Sequence, residues 1–251
     1  MTEFSLIIVA AGSGTRLGHD TPKQYLPLGG ITILRRSINA FRNMDGLKSV
    51  CVVINPAHQE LLNNSISGLE NIIIVHGGTT RQESVYNGLK ALNTTKNDIV
   101  LVHDAARPFV QQSDVVNLLN ALEEHEAATL ASPVVDTVAY TDQDDYVQKY
   151  TSREKLWGGQ TPQGFHAGIL KRAHESADKN TQYTDDTALV AALGYKIKYI
   201  AGSRQNFKIT RKEDLELAEK LISMETYIGT GFDVHAFDEN SLDVKSVRLC
   251  G

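Results

Sequence analysis

The chain has 251 residues, of which 41% are hydrophobic and 22% are charged, and its net charge is −5. These values are ordinary for a globular protein, and the length suffices for one large domain or for a domain with a further fragment. The negative charge excludes a broad basic surface for nucleic-acid backbones, and no leader peptide or membrane-spanning stretch is visible. We therefore expect a cytoplasmic protein without nucleic-acid or membrane partners.

Short apolar runs alternate with segments of helical periodicity along the chain. The runs predict strands at Phe4–Ala10, Val50–Ile54, Ile72–Val75, Ile99–Val102 and Lys196–Ile200. Helices are predicted at Ile33–Arg42, Arg81–Leu92, Val115–Leu122, Ala167–Ala177, Asp185–Leu193 and Lys212–Ser223. Continuous apolar strands indicate burial on both faces. The predicted fold class is α/β, a doubly wound and mostly parallel sheet of Rossmann type, which binds ligands at the carboxyl ends of its strands.

A different pattern occupies about residues 134–150. Two loosely alternating runs flank the acidic turn Asp142–Asp145, which predicts a β-hairpin that projects from the domain. A two-stranded hairpin is marginally stable in water by itself. We therefore expect this arm to pack against a second subunit.

A glycine-rich loop, AAGSGTRLGHDTPK, follows the first predicted strand from Ala10 to Lys23. Its backbone N–H groups around Gly12 and Gly14 are suited to bind phosphate oxygens. Such a loop alone is equally typical of a structural turn. The permanent cations Arg16 and Lys23 favour phosphoryl transfer, because neutralising the charge that develops in that reaction requires cations beyond those that hold a phosphate.

Two further segments follow predicted strands. In IVLVHDAARP, Asp104 is placed to bind a sugar hydroxyl or to help place a metal, although it could instead cap a helix and pair with Arg107. In GGTTRQES, Gly78 permits close approach of a ligand and Ser84 offers a hydroxyl for base or ribose recognition. The alternative for this segment is an ordinary Gly-Gly turn.

The later part of the chain adds isolated polar residues. Arg153 follows the arm, Lys208 lies in the segment QNFKIT, and Thr161 belongs to a Thr-Pro-Gln segment interpreted as a rigid loop that bears a hydroxyl. Cys51 lies within a predicted strand and is expected to be a small core residue, and the two cysteines form no metal or disulfide pattern.

A set of segments in fixed order resembles the 2-C-methyl-D-erythritol 4-phosphate cytidylyltransferase family over about residues 4–222. The segments are AAGSGTR with PKQY, GGTTRQESV, VHDAARP, Asp136-Thr137, Arg153 before LW, TPQ and NFKIT. The resemblance implies transfer of CMP from CTP to methylerythritol phosphate with Mg²⁺, in a homodimer formed through the arm. It implies that Arg16 and Lys23 stabilise the transition state, while Arg153 and Lys208 position the substrate phosphate. The implied nucleotide-side contacts are Ala10, Ala11, Gly12, Gly14, Gly78, Ser84 and Asp104, and the implied substrate contacts are Arg107, Thr137 and Thr161.

The segment Tyr227–Phe237, YIGTGFDVHAF, resembles the amino-terminal strand of the 2-C-methyl-D-erythritol 2,4-cyclodiphosphate synthase family. We therefore predict a cytidylyltransferase domain at residues 1–225 and a fragment of a second domain at residues 226–251. Asp233 and His235 would point to the same face of a strand, as two ligands of one Zn²⁺ do, but a catalytic zinc site usually has three protein ligands. The second activity is expected to be absent.

Two alternatives remain open from the sequence. A ribitol-phosphate or other sugar-phosphate cytidylyltransferase would share the glycine-rich loop and VHDAARP, and the tail argues against it. A non-catalytic nucleotide sensor is the alternative of another class. It would not require the four cations Arg16, Lys23, Arg153 and Lys208 together.

Overall fold

The structure is a computed structural model, and it describes residues 2–12, 21–178, 181 and 183–223. The strands in chain order are β1 (Phe4–Ala10), β2 (Pro27–Leu28), β3 (Ile31–Thr32), β4 (Leu47–Ile54), β5 (Ile72–His76), β6 (Ile99–Asp104), β7 (Ala127–Pro133), β8 (Val138–Thr141), β9 (Val147–Thr151), β10 (Trp157–His166) and β11 (Lys198–Ala201). The helices are α1 (Ile33–Arg42), α2 (Gln59–Ile66), α3 (Arg81–Ala91), α4 (Gln112–Ala121), α5 (Ala167–Ser176), α6 (Asp186–Ala192) and α7 (Lys212–Ser223).

The central sheet of the described chain has seven strands in the order β11-β7-β10-β6-β1-β4-β5. Strand β1 pairs in parallel with β4 on one side and with β6 on the other, so the chain switches direction across the sheet beside β1. Such a switch point opens a crevice at the carboxyl ends of the strands. The predicted doubly wound, mostly parallel fold is confirmed, with β10 as its antiparallel member.

Both faces of the sheet are buried, as the continuous apolar strands predict. Along β1, Leu6 and Ile8 point into a core built with α1, α2 and α4, and Ile7 points into the opposite core with α3, α5 and α6. Cys51 belongs to the second core and is fully buried, which confirms the prediction from its strand. Burial raises the pKa of its thiol to about 12, so Cys51 packs as a neutral apolar group.

The predicted arm is present as the antiparallel pair β8–β9, a sheet of its own. Its surface carries exposed apolar and aromatic side chains, namely Val135, Tyr140, Tyr146, Val147 and Tyr150. At the base of the arm, the Val134 N–H donates to the Leu156 carbonyl at 3.0 Å. Within the described chain, nothing covers the outer surface of these strands, as their exposure shows.

One sequence interpretation is wrong. Thr161, Pro162 and Gln163 do not form a loop but lie within β10, between β6 and β7. Thr161 is 4% exposed, so its hydroxyl lies inside the molecule. The glycine and proline content of this strand signals a turn locally, whereas its extended form comes from pairing with two distant strands.

Candidate active site

A cleft of about 600 Å³ opens at the carboxyl ends of β1, β4, β5 and β6. Six separate segments contribute its walls: the exit of β1, the pair Lys23 and Gln24, the residue after β4, the turn before α3 with the start of that helix, the end of β6 and the segment before α7. The lining residues include Ala10, Ala11, Gly12, Lys23, Asn55, Gly78, Arg81, Ser84, Asp104 and Lys208. Most of the nucleotide-side residues expected from the sequence therefore meet in one place.

The glycine-rich loop is fixed where it leaves β1. The Gln24 side-chain amide donates to the carbonyls of Ala10, at 2.7 Å, and Gly12, at 2.8 Å. Gln24 is 3% exposed, so this clamp is shielded from water. Gln24 belongs to the PKQY segment, but this role is not evident from the sequence. Gly14 and Arg16 lie outside the described residues.

Lys23 and Lys208 stand on one wall of the cleft. The Lys23 ammonium donates to the Ile209 carbonyl at 2.7 Å, which ties the turn after the glycine-rich loop to the neighbour of Lys208. Ile209 is fully buried in a satellite core that also contains residues of β2, α1 and α7. Lys23 is thus tied to the segment that carries Lys208, and apolar packing of Ile209 anchors that segment.

Asp104, the last residue of β6, faces three cations. Its Oδ2 lies 2.9 Å from the Lys208 ammonium and 3.5 Å from the Arg107 Nε, and its Oδ1 lies 3.9 Å from an Arg81 nitrogen. Burial alone would raise the pKa of Asp104, but Lys208, Arg81 and Arg107 together hold it well below its usual range. Asp104 is therefore a permanent anion that faces the cleft and pairs with Arg107. It does not cap the next helix, whose N-cap is Gln111, and its contact with a sugar hydroxyl or a metal stays a prediction.

A buried hydrogen-bond chain supports Asp104 from below. The Asp104 N–H donates to the Thr161 hydroxyl at 3.1 Å, and that hydroxyl lies 3.0 Å from His103 Nδ1. The other ring nitrogen of His103 lies 3.0 Å from the Arg107 carbonyl. A neutral imidazole protonated on Nε2 satisfies both contacts. Thr161 and Arg107 thus hold Asp104 in the described chain, and their direct contact with a substrate stays a prediction.

We expect His103 to make the fold sensitive to mild acid. Burial lowers its pKa from 6.5 to about 4, so between these values the unfolded chain binds a proton that the folded chain does not. Stability therefore falls as the pH falls, and His103 contributes a loss of about 2–3 kcal/mol between pH 7 and 4.5. Urea unfolding at the two pH values measures it. In His103→Gln the difference should shrink by this amount, and an unchanged difference would contradict the assignment.

The turn between β5 and α3 forms the opposite wall. A Cβ at Gly77 would lie 2.6 Å from the Ala11 Cβ and 2.7 Å from the Ser84 Oγ, so glycine permits the turn to approach the exit of β1. The Ser84 hydroxyl accepts from the Gly78 N–H at 3.1 Å and donates to the Thr80 carbonyl at 2.8 Å. Gly78 and Ser84 line the cleft as expected, and the turn itself depends on the Ser84 hydroxyl.

A buried ionic group that the sequence does not predict lies behind this wall. Arg81 lines the cleft in the first turn of α3, and its Nη1 donates to Asp186 Oδ2 at 2.6 Å. Asp186, in the first turn of α6, is 1% exposed and also lies 3.2 Å from His174 Nε2. Burial would raise the pKa of Asp186, but Arg81 and His174 keep it low, so the carboxylate is charged. No local sequence pattern predicts such a group, because its members come from three helices.

The residues expected to bind the second substrate from the arm do not line the cleft. Thr137 is exposed between β7 and β8. Arg153 is exposed after β9 and donates to the Val135 carbonyl, which is also part of the arm. Thr137 therefore lies on the arm and Arg153 is tied to it through Val135, and neither is among the residues that line the cleft of their own chain.

Asp233 and His235, the predicted ligands of the tail, lie outside the described residues. Within residues 2–12, 21–178, 181 and 183–223, no group of three or more His, Cys, Asp or Glu side chains is arranged to hold a metal ion. None of the helices of this same part of the chain is long and apolar enough to cross a membrane.

Comparison with known proteins identifies the family. The profile of 2-C-methyl-D-erythritol 4-phosphate cytidylyltransferase matches residues 4–224. A protein of that description from Pelotomaculum thermopropionicum is 41% identical over 227 residues, which cover 88% of this chain and 95% of that protein. The crystal structure of a 2-C-methyl-D-erythritol 4-phosphate cytidylyltransferase from Thermus thermophilus is 36% identical, covers 88% of this chain and 100% of its own, and superposes with a TM-score of 0.73.

Longer relatives match the chain as well. A bifunctional enzyme IspD/IspF from a Bradyrhizobium strain is 38% identical over 252 residues, covering 98% of this chain. The chain spans 63% of that relative, and the alignment continues past residue 224, where the family profile ends. This confirms the resemblance to a bifunctional fusion, while the division into domains at residue 225 stays a prediction. By sequence match and by its Rossmann-like fold, the chain belongs to the 2-C-methyl-D-erythritol 4-phosphate cytidylyltransferase family.

Proposed function

We propose that this chain transfers CMP from CTP to 2-C-methyl-D-erythritol 4-phosphate and releases pyrophosphate, in non-mevalonate isoprenoid biosynthesis. One observation carries the proposal beyond family membership. Lys23, Lys208 and the anionic Asp104 converge on a single cleft, which also receives the exit of the glycine-rich loop. Together these groups suit a reaction between two phosphate-bearing molecules.

The chemistry needs positioning and charge neutralisation more than proton transfer. An oxygen of the substrate phosphate forms a bond to the α-phosphorus of CTP, the bond from that phosphorus to the bridging oxygen breaks, and pyrophosphate leaves with the electron pair. The attacking group is already an anion, so no general base is needed. The obstacle is repulsion between anions, and fixed cations such as Lys23 and Lys208 lower it.

The site fits a divalent cation of the kind implied by the family resemblance. Mg²⁺ is commonly held by one or two carboxylates together with substrate phosphates. Asp104 supplies a charged carboxylate whose contacts with Lys208 and Arg107 fall on Oδ2, while its Oδ1 lies 3.9 Å from an Arg81 nitrogen. We propose that Asp104 would hold Mg²⁺, which would neutralise phosphate charge when it is bound.

We propose that the protein acts as a homodimer in which the arm of one copy completes the cleft of the other. The arm exposes Tyr140, Tyr146 and Tyr150, and such a two-stranded surface gains stability from a partner. Thr137 lies at the start of the arm and Arg153 follows it, and neither lines the cleft of its own chain. A second copy would bring these residues to the substrate phosphate.

The proposed reaction is tested with the purified 251-residue chain, CTP, methylerythritol phosphate and Mg²⁺, following pyrophosphate release. Ribitol phosphate serves as the comparison substrate. We expect release with methylerythritol phosphate and little with ribitol phosphate. Equal or greater release with ribitol phosphate would contradict the substrate assignment, and CTP binding without release would favour a sensor.

For the tail, we propose weak zinc binding and no cyclase activity of its own in this chain. Asp233 and His235 are two ligands, fewer than the three protein ligands of typical catalytic zinc sites. Elemental analysis of the dialysed chain should find zinc well below one equivalent. Stoichiometric zinc that disappears in His235→Ala would contradict the proposal.

We also propose a cytoplasmic location, where CTP is produced.

A further inference from the structure

Arg81 lies between two carboxylates and is closer to Asp186 than to Asp104. The Arg81 guanidinium donates to Asp186 at 2.6 Å, yet it remains 3.9 Å from Asp104 Oδ1, beyond hydrogen-bond distance. The Asp104 Oδ2 is engaged by Lys208 at 2.9 Å. The contacts with Lys208 and Arg107 fall on Oδ2, whereas the contact on Oδ1 is the longer one with Arg81, so Oδ1 is the less engaged oxygen of Asp104.

We infer that Asp186 is a positioning residue that holds Arg81 back from Asp104 and thereby keeps Asp104 Oδ1 open to a ligand. The inference rests on the proposed use of CTP with Mg²⁺. An arginine and a carboxylate this close in a shielded cleft attract each other strongly and tend to form a direct, bidentate pair. Asp186 is the competing anion, and it is 1% exposed, so water does not weaken its attraction for Arg81.

The surroundings of Asp186 explain why it can serve as an anchor. Its other oxygen lies 3.2 Å from His174, whose ring is stacked on Tyr86 at 5.5 Å, and α6 begins at this residue. The carboxylate thus stands at the first residue of α6 with an α5 side chain beside it, although the His174 contact does not have the geometry of a hydrogen bond. Arg81 is instead a long side chain at the start of α3, with 30% of its side chain exposed to the cleft. Of the two groups, Arg81 is the one that can move.

Loss of the Asp186 charge has a specific consequence. In Asp186→Asn, Arg81 is free to close the distance to Asp104 Oδ1 and to neutralise it. We expect the affinity for CTP in Mg²⁺ buffer to fall about tenfold, and the affinity in EDTA to change little, because the blocked oxygen is the one that would serve the metal. Asp186→Glu, which keeps the charge, should recover part of the loss.

The double substitution Asp186→Asn/Arg81→Gln is the decisive measurement, made by calorimetric titration of CTP with and without Mg²⁺. If Asp186 acts through Arg81, the double variant should bind CTP within about twofold of Arg81→Gln alone. A merely structural role would make the double variant weaker than Arg81→Gln by the same factor that separates Asp186→Asn from the wild type. That result would overturn the inference, as would wild-type affinity in Asp186→Asn.

Two controls keep the outcome interpretable. Leu189→Ala removes a buried side chain from the same helix, and it should lower the melting temperature without changing the affinity for CTP. If Asp186→Asn alone fails to fold, the double variant, which removes both members of the buried pair, still tests the inference against Arg81→Gln. A wild-type chain that neither binds CTP nor releases pyrophosphate contradicts the proposed function. If the wild type binds CTP and releases pyrophosphate but the affinities of the variants do not follow the expected pattern, only this inference is contradicted.

Discussion

Lys23→Ala is expected to reduce turnover by ~10²–10³-fold while the affinity for CTP changes little. The ammonium group of Lys23 lies in the cleft beside Lys208, held by the Ile209 carbonyl at 2.7 Å. A cation fixed in this way acts most strongly on the charge that grows as pyrophosphate leaves. Steady-state kinetics of pyrophosphate release, combined with calorimetric titration of CTP, separates the two effects.

Lys48→Ala is the matched control for this experiment. Lys48 is an exposed lysine near the amino end of β4, away from the carboxyl ends that form the cleft, and it pairs with Glu3 at 3.0 Å. We expect turnover in this variant to remain near that of the wild type. If Lys23→Ala instead loses CTP affinity and turnover in equal proportion, Lys23 serves ground-state binding and its proposed role is wrong.

The second large effect is expected from hybrid dimers of Arg153 and Lys23 variants. Arg153→Ala alone should lower kcat/KM for methylerythritol phosphate by roughly 10–100-fold, because a charge-assisted contact to phosphate is lost. A hybrid of one Lys23→Ala chain and one Arg153→Ala chain should nevertheless recover about half of the wild-type turnover. In that hybrid, one cleft has its own Lys23 and receives Arg153 from the partner.

The cis arrangement provides the control with the same substitutions. A chain carrying both Lys23→Ala and Arg153→Ala, paired with a wild-type chain, should be nearly inactive, because neither cleft then has both cations. Differently tagged chains, co-expressed and purified through both tags, give each hybrid. If Arg153 served its own chain, the results would be reversed, with the cis hybrid active and the trans hybrid inactive.

The fold was largely predictable because most of its elements carry strong local patterns. The apolar run Phe4–Ala10 is β1 with the predicted bounds, and Ile33–Arg42 is α1. The arm is present as two strands near the predicted segment. Both cores could be expected as well, since alternate residues of continuously apolar strands must be buried on opposite faces.

Elements defined by distant partners were not predictable. Strand β7, Ala127–Pro133, is rich in alanine, which has little β-propensity, and it exists because β10 and β11 flank it. Strand β10 contains Gly158, Gly159 and Pro162, all typical of turns, and its pairing with β7 is irregular between Gly159 and Gln163. In both cases the tertiary environment overrides the local preference.

The site shows the same division. Glycines and charged residues near strand ends predicted where ligands would meet, and Gly78, Ser84 and Asp104 do line one cleft with Lys23 of the glycine-rich loop. Lys208 lines it as well, although only the family resemblance had implied a role for it. The supporting contacts were beyond the sequence. These contacts depend on distances between elements that no spacing along the chain encodes. They are the Gln24 bond to the glycine-rich loop, the Thr161 bond to Asp104 and the Asp186 bond to Arg81.

The base of the arm has a consequence for how this family can vary. Pro133 pairs with Trp157 in the sheet, and the Val134 N–H reaches the Leu156 carbonyl at 3.0 Å, so the chain leaves and re-enters the sheet at one point. The segment between these two points is therefore an insertion closed at its base. Its length and sequence can change without shifting the register of the sheet. If the arm of a second copy contacts the accepting alcohol phosphate, as proposed, exchange of this segment can change that part of substrate recognition without altering the sheet that forms the nucleotide side of the cleft.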